Sequence, residues 1–176
     1  MLAHFNVANP SAWVTRFAPL IRPGGTVLDV ACGSGRNARW LARQGWRVEA
    51  VDRYEAAIAT LQGVENISAR QADLEGAPWP YPGRKFDSIV VCRYLHRPLL
   101  PMLAESLTEN GILIYETFMA GQEQFGRPRN PDFLLQPNEM LKVYSIMLEV
   151  ISFEQGIMSG SEPAALQRIC ARHTTH

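Results

Sequence analysis

The sequence has little of what marks several classes of protein. Its three cysteines, Cys32, Cys92 and Cys170, are odd in number and widely spaced, so neither a disulfide framework nor a Cys-x-x-Cys metal site is indicated. No apolar run is long enough to span a bilayer, and no basic-then-apolar signal pattern opens the chain. From these absences we expect a cytoplasmic protein with no bound metal and no membrane association.

A charge excess of either sign is also missing. The 17 basic and 17 acidic residues cancel, so a sequence-independent grip on nucleic acid is disfavoured. Only Lys85 and Lys142 are lysines, and the other basic residues are arginines, which suit planar, bidentate binding of anions. By elimination we expect a small-molecule substrate, and the arginines leave room for a local anion-binding pocket.

The residues that are present fit one soluble domain. With 47% hydrophobic and 19% charged residues, positions 1–176 can form a single core, and residues 1–22 are predicted to be an N-terminal helical cap region. Short apolar strands alternate with helical patterns along the chain. The predicted strands are 26–30, 47–51, 66–72, 86–92, 112–118, 147–153 and 165–171. The predicted helices are 35–44, one ending at 61, 99–107 stopped by Asn110-Gly111, and 137–145.

This alternation predicts an α/β fold with a doubly wound, mostly parallel sheet of seven strands. The last two strands are too close in sequence for a crossover helix, so an antiparallel C-terminal hairpin is predicted. Residues 75–85 hold three prolines, so a proline-rich loop is predicted in place of the third crossover helix. Trp79 and Tyr81 then either plug that thinly covered sheet face or meet a partner there, for example in a homo-oligomer.

The stretch VLDVACGSGRNARWLA, residues 27–42, runs from a strand through a glycine turn into a helix. The turn fits both NAD and S-adenosylmethionine (SAM) sites, and Asp52 at the end of the second strand serves ribose hydroxyls in either. Asp29, four residues before Gly33, separates the two. It would repel a pyrophosphate but favours the ammonium and sulfonium of SAM, which has no phosphate.

The segments DVACGSG, AVD and ADL, in this order and spacing, resemble the class I (seven-stranded) SAM-dependent methyltransferases. The resemblance covers roughly Thr26 to the C-terminus, and the small size is most similar to the tellurite-resistance type. Where that family has D-x-G-x-G-x-G, Ala31 replaces the first glycine here. The resemblance implies SAM as the cofactor. It implies these contacts: Asp29, Gly33 and Gly35 at the methionine portion, Asp52 and Arg53 at the ribose and adenine edge, Asp73 and Leu74 at the adenine, and Cys92 and Arg93 at the sulfonium and carboxylate.

Several of these residues also fit purely structural roles. Asp29 and Asp52 are alternatively strand-end caps, and Asp73 is alternatively a turn former. Cys32 and Cys92 are more typical of buried packing residues than of nucleophiles.

Catalytic candidates follow the fourth strand. His96 is either a general base or a helix-entry residue bonded to backbone, and Tyr94 is either a substrate wall or a core residue. Glu116, inside the fifth strand, either pairs with an arginine or faces substrate. Methyl transfer needs mainly alignment and desolvation of the nucleophile, and a base is required only if the acceptor must lose a proton. His96 is then the first candidate and Tyr94 the second.

The irregular segment 117–137 is long for a compact domain and predicts a lid, with a solvated loop as the alternative. It would bring Phe125, Arg127 and Arg129 over the pocket mouth, and the two arginines hint at an anionic substrate. Trp13, with Arg16, is predicted to close the cleft from the other side.

The function predicted from the sequence is SAM-dependent methyl transfer to an unidentified small molecule. A non-catalytic SAM-binding regulator or partner subunit is the first alternative, and an NAD-dependent oxidoreductase the second.

Overall fold

A computed structural model describes residues 9–160 and 162–175. The N-terminal cap region is therefore described from residue 9 onward, and residues 1–8 lie outside it. The strands are β1 (Thr26–Val30), β2 (Arg47–Asp52), β3 (Ile67–Gln71), β4 (Phe86–Cys92), β5 (Leu107–Phe118), β6 (Glu149–Met158) and β7 (Ala164–Arg172). The helices are α1 (Ala12–Phe17), α2 (Arg36–Arg43), α3 (Glu55–Ala59), α4 (Leu100–Glu105) and α5 (Glu139–Tyr144).

The strands form one sheet in the order β3-β2-β1-β4-β5-β7-β6. Neighbours from β3 to β5 are parallel, and β7 runs antiparallel to both β5 and β6. The doubly wound sheet and its antiparallel C-terminal strands are thus confirmed. The order reverses between β1 and β4, and in such sheets ligands bind at the carboxyl ends of the strands beside the reversal.

Successive strand residues pack on opposite faces, because side chains alternate across a strand. Val27 and Val90 point to the face covered by α1 and α2, whereas Leu28 and Ile89 point to the face covered by α4 and α5. All four residues are fully buried. The two apolar layers hold the sheet rigid beneath its carboxyl edge.

The proline-rich connection between β3 and β4 contains no helix, as predicted. Tyr81 is 3% exposed and packs edge-on against Phe86, with ring centroids 5.5 Å apart. Trp79 is half-buried and lies 5.7 Å from the Tyr81 ring. Two aromatic side chains therefore plug the sheet face where a helix is missing, and the homo-oligomer at this face stays a prediction.

The boundary after α4 was predicted wrongly. The helix ends at Glu105, and β5 begins at Leu107 rather than at Ile112. Asn110 adopts a left-handed conformation (φ 62°) inside the strand, and the pairing with β4 shifts register between Phe86 and Ser88. Asn-Gly favours such backbone geometry, which is as typical of a helix stop as of the interrupted strand found here.

The described helices are short. None of those found in residues 9–160 and 162–175 has both the length and the apolar character needed to cross a bilayer.

Candidate active site

A cavity of about 640 Å³ opens at the carboxyl edge of the sheet, next to the reversal in strand order. Its volume lies in the range of about 300–1,000 Å³ typical of small-molecule sites. It is lined by eleven of the predicted site residues, namely Asp29, Gly33, Asp52, Arg53, Asp73, Leu74, Cys92, Arg93, Tyr94, Arg127 and Arg129. The other five, Gly35, His96, Trp13, Glu116 and Phe125, are not in its wall.

Asp29 lies beneath the glycine turn, in the strand next to the reversal. It is 2% exposed, and its Oδ2 has no hydrogen-bond partner among the described residues. Burial raises the pKa of this carboxyl to about 7, although Arg36 and the backbone N–H of Ala38 act in the opposite direction. An unpaired carboxylate at low exposure is costly, so the site favours a ligand that brings positive charge.

Asp52 ends β2 and ties the glycine turn to the neighbouring strand. Its Oδ2 accepts from the backbone N–H of Gly33 at 2.9 Å, and its Oδ1 accepts from that of Tyr54 at 3.0 Å. Each oxygen keeps a second lone pair. The carboxylate thus acts as the strand-end cap considered above, and it also lines the cavity, where its spare acceptor capacity can meet a ligand hydroxyl.

The two glycines of the turn differ. Gly33 (φ 57°) has open space where a Cβ would stand, so its backbone forms a bare part of the cavity wall. Gly35 (φ 84°) is the N-cap of α2, and its Cβ would come within 2.5 Å of the Leu61 side chain. Gly35 is therefore required by packing behind the turn. Ala31, in place of the family's first glycine, also has a positive φ of 53°.

Arg53 and Asp73 make local contacts beside the cavity. The Arg53 guanidinium lies 4.9 Å from the Tyr54 ring centroid and donates to the Tyr54 hydroxyl, which raises the Arg53 pKa. Asp73 accepts from the backbone N–H of Glu75 at 3.0 Å, and this bond and one from Gly76 lower its pKa. Asp73 therefore forms the turn considered above, while both side chains remain in the cavity wall.

The cysteines favour the packing interpretation. Cys32 and Cys92 line the cavity, but burial raises the pKa of both thiols, that of Cys92 to about 12. Neither is a thiolate near neutral pH, so neither is an activated nucleophile. Next to Cys92, Arg93 has φ 57°, and its guanidinium lies 5.8 Å from the Phe118 ring centroid.

Tyr94 and His96 take different positions. The Tyr94 hydroxyl donates to Glu75 at 3.3 Å, and burial together with Glu75 raises its pKa well above the usual value. His96 stands at the entry of the 3₁₀ turn Arg97–Leu99, with Nδ1 4.0 Å from Glu75. It does not line the cavity, whereas Tyr94 forms part of the wall. His96 takes the helix-entry position, but its side chain makes no capping hydrogen bond to the turn.

The segment 119–137 is anchored across the fold. Buried Gln122 donates to the carbonyl of Arg127 at 3.2 Å and accepts from Ala165 N–H at 2.9 Å. Arg97 donates to the carbonyls of Asp132 and Leu134, both at 2.9 Å, and pairs with Glu139 at 2.6 Å. Residues 127–130 and Phe133 line the cavity mouth. The segment is therefore a fixed cover rather than a freely solvated loop.

Three predicted substrate residues lie elsewhere. Trp13 is 2% exposed, and its indole N–H donates to the carbonyl of Ile169 at 3.1 Å, so it belongs to the core. Glu116 pairs with Arg168 at 2.8 Å and accepts from the Ser11 hydroxyl at 2.6 Å, as the alternative interpretation expected. Phe125 is 39% exposed and does not line the cavity, whereas Phe118 and Phe133 do.

The fold and this cavity agree with what sequence comparison finds, since residues 2–147 match the methyltransferase domain family. The chain belongs to that family. The chain is 31% identical over 106 residues to protein-L-isoaspartate O-methyltransferase of Rhizobium meliloti, covering 57% of this chain and 50% of that protein. It is 22% identical over 209 residues to an uncharacterized protein, UNK4.09, of Schizosaccharomyces pombe, covering 89% of this chain and 61% of that one. The chain thus spans about half to three fifths of the length of these relatives.

Solved structures share the fold of this methyltransferase. TehB from Haemophilus influenzae superposes with a TM-score of 0.81 at 22% identity, over 98% of this chain and 65% of that one. A TehB-like SAM-dependent methyltransferase from Corynebacterium glutamicum gives a TM-score of 0.69 at 19% identity, over 98% and 94%. The class I fold predicted from the glycine turn is confirmed, and SAM is the cofactor associated with it.

The residues of this methyltransferase fit SAM. Within the described residues, the buried Asp29 carboxylate has an oxygen without a hydrogen-bond partner, which a positive charge would satisfy, and the bare backbone at Gly33 leaves room for close approach. Leu74, which is 6% exposed, gives an apolar wall of the kind that an adenine ring needs. No described group of three or more His, Cys, Asp or Glu side chains is placed to hold a metal ion.

Sequence reasoning missed several lining residues of the methyltransferase. Asn37 is 4% exposed and accepts from the backbone N–H of Ser11 at 2.9 Å, which joins α2 to the start of α1. Arg36 opens α2 beside Asp29. The position of Arg36 and Asn37 directly after the glycine turn is a signal that the sequence does carry. Phe118, Phe133 and Glu75 carried no such signal, because tertiary contacts alone bring them to the cavity.

Proposed function

We propose that this chain transfers a methyl group from SAM to a small-molecule acceptor. One observation carries the proposal: buried Asp29 stands behind the glycine turn beside Asp52, with an oxygen that finds no hydrogen-bond partner in the described part of the chain. Two carboxylates at this turn oppose a pyrophosphate and favour a cationic ligand. When bound, SAM supplies a methyl group made electrophilic by its sulfonium.

The chain's own residues would bind and orient the reactants. Asp29 would face the ammonium and Asp52 the ribose hydroxyls, while Gly33 leaves the backbone accessible. Leu74 would pack on the adenine beside Asp73 and Arg53, and Cys92 and Arg93 would border the methyl-transfer region. The cover formed by residues 127–133 would exclude water from the acceptor.

We assign no general base from position alone. His96 lies outside the cavity wall, and Tyr94 is a protonated hydroxyl hydrogen-bonded to Glu75. Alignment and desolvation are the contributions that this site offers. Replacement of Tyr94 by phenylalanine should then change KM for the acceptor more than kcat. If Tyr94 were a general base, its loss would instead lower kcat over the whole accessible pH range.

Calorimetry and a turnover assay test the proposal. Titrations with SAM, S-adenosylhomocysteine (SAH) and NADH should give heat for the first two only, and Asp29→Ala should weaken them. A panel of small phenols, thiols, amines and carboxylic acids is then screened for conversion of SAM to SAH. Binding of SAH without turnover by any acceptor would favour a regulatory SAM-binding protein. Tight binding of NADH with no SAH heat would overturn the proposal.

A further inference from the structure

The far side of the cavity carries cations that have no acidic partner. Arg127 and Arg129 line the mouth, and neither side chain makes a hydrogen bond or ion pair with another residue in the described part of the chain. By contrast, the Arg97 guanidinium donates hydrogen bonds to Glu139 and to two carbonyl groups. The two guanidinium groups therefore keep their full capacity to bind a ligand.

The acidic side of the cavity does not neutralise them. Arg36 acts on the Asp29 carboxyl, and Arg53 is held by Tyr54 and by the charges of Glu75 and Asp73. Four acids line the cavity, Asp29, Asp52, Asp73 and Glu75, and among the described residues none of them forms an ion pair with Arg127 or Arg129. Positive charge is thus left over at the acceptor side of the cavity.

The backbone presents these arginines in a fixed place. Gln122, which is 5% exposed, donates to the carbonyl of Arg127, and the Asn130 side chain accepts from Asp132 N–H at 3.0 Å. Anchors on both sides of Arg127 and Arg129 reduce the backbone entropy lost on binding. The planar guanidinium of each arginine matches the geometry of a carboxylate.

Apolar surface stands beside the cations. Phe118 and Phe133 line the cavity together with Pro128, and Phe133 is 47% exposed whereas Phe118 is 9% exposed. A bare inorganic anion would leave this apolar surface exposed to water. An organic body attached to the anion would cover it.

We propose that the methyl acceptor is a small organic acid whose carboxylate binds Arg127 and Arg129 and whose apolar body packs on Phe118 and Phe133. This inference rests on the proposed function and names its substrate class.

Matched ligand pairs test it in protein saturated with SAH. Benzoate and phenylacetate are titrated against their uncharged counterparts, benzamide and phenylacetamide. Each carboxylate should bind at least about tenfold more tightly than its amide, and added salt should reduce this difference. In a double variant, R127Q with R129Q, the preference should disappear while the affinity for SAH is unchanged. The matched control is R22Q, because Arg22 is exposed and outside the cavity.

The outcomes are separable. If the unmodified chain does not bind SAH, the proposed function itself is refuted. Normal SAH binding with no carboxylate preference, or a preference that survives in the double variant, would overturn the acceptor class alone. Inorganic phosphate that binds as tightly as benzoate would also overturn it, because the apolar body would then contribute nothing.

Discussion

The turn between β1 and α2 is fixed by backbone groups and a neighbouring carboxylate, whereas the segment over residues 119–137 combines backbone bonds near its ends with side chains that reach across the fold. In the turn, Gly33 and Tyr54 donate to Asp52, and Cys32 N–H donates to the Val51 carbonyl at 3.0 Å. At the ends of the segment, Met119 N–H donates to the Ala165 carbonyl and Ala120 N–H to the Leu135 carbonyl. Between them, Gln122 and the Arg97–Glu139 pair provide the side-chain anchors.

The difference separates two kinds of molecular requirement. A cofactor site that is common to a fold can rest on backbone geometry, because the same atoms are present whatever the side chains are. An acceptor site that differs between enzymes needs side-chain anchors, which can be exchanged without disturbing the sheet. The first region is accordingly buried or half-buried, and the second is mostly exposed.

Substitution of Gly35 should have the largest effect. An alanine there must hold a left-handed conformation and place its Cβ 2.5 Å from Leu61. Strain and overpacking together should lower the free energy of unfolding by about 3 kcal/mol. Urea denaturation measures this value. Gly33→Ala is the matched control, since its Cβ meets open space, and it should cost only about 1–2 kcal/mol. Equal losses in the two variants would refute the distinction between packing and cavity glycines.

Removal of the Asp52 carboxylate should damage the cofactor side. Asp52→Ala leaves the N–H groups of Gly33 and Tyr54 without their acceptor and deletes the proposed ribose contact. Each lost bond is worth about 1–3 kcal/mol, so the affinity for SAH should fall roughly a hundredfold. Calorimetry checks this. Asp52→Asn, which keeps one acceptor oxygen, should fall between the alanine variant and the parent, and a change below threefold in Asp52→Ala would count against the role.

Loss of the Arg97 anchor should affect the cover and spare the turn. Burial alone would raise the Glu139 pKa, but bonds from Arg97 and Gln136 N–H bring it below its usual value. Arg97→Met keeps the apolar stem and should destabilise the segment locally by about 2 kcal/mol.

Hydrogen exchange across residues 119–137 and tryptic cleavage after Arg129 should both become faster in this variant, with SAH affinity unchanged. Lys142→Met, at an exposed position of α5, is the control and should leave both rates as they are. Unchanged protection of the segment in Arg97→Met would show that the backbone alone holds the cover.

The pH dependence of SAH binding should follow Asp29. Its pKa of about 7 means that the carboxyl is largely protonated at pH 6 and largely ionised at pH 8. A bound ammonium favours the ionised form, so affinity should rise about tenfold over this interval. The raised pKa also means that the free protein loses stability as the pH rises from about 4 to 7, because the unfolded carboxyl ionises first.

Asp29→Asn should abolish both pH dependences. Measurements of SAH affinity and of urea stability at pH 6, 7 and 8 provide the check. A tenfold rise that persists in Asp29→Asn would assign the titration to another group.

The smallest effect is expected at Ala31. Its positive φ of 53° costs an alanine about 1–2 kcal/mol, which glycine would recover apart from its greater freedom in the unfolded chain. Ala31→Gly should therefore stabilise the chain by roughly 0.5 kcal/mol in urea denaturation. A clear loss of stability would indicate that the methyl group of Ala31 contributes packing that outweighs its strain.

Local patterns predicted three of the acids that line the cavity, because these residues sit at strand ends. Strand periodicity locates Asp29, Asp52 and Asp73, and parallel pairing then brings the carboxyl ends to one edge. The same reasoning failed at Trp13 and Phe125, since aromatic residues on a helix or in a loop give no sign of which way they face. The prediction at Asn110-Gly111 failed for a different reason, because a left-handed conformation fits both a helix stop and an interrupted strand.

The amino-acid sequence by itself determined the order of strands and helices, the glycine turn with its acid, and hence the family and the cofactor. These follow from interactions among residues close along the chain and from apolar periodicity. Only the tertiary structure decided that Glu116 forms an ion pair with Arg168, that aromatic rings replace the missing helix, and that Arg127 and Arg129 line the cavity. Such outcomes depend on which distant side chains meet, and a linear pattern does not encode a meeting between residues 52 positions apart.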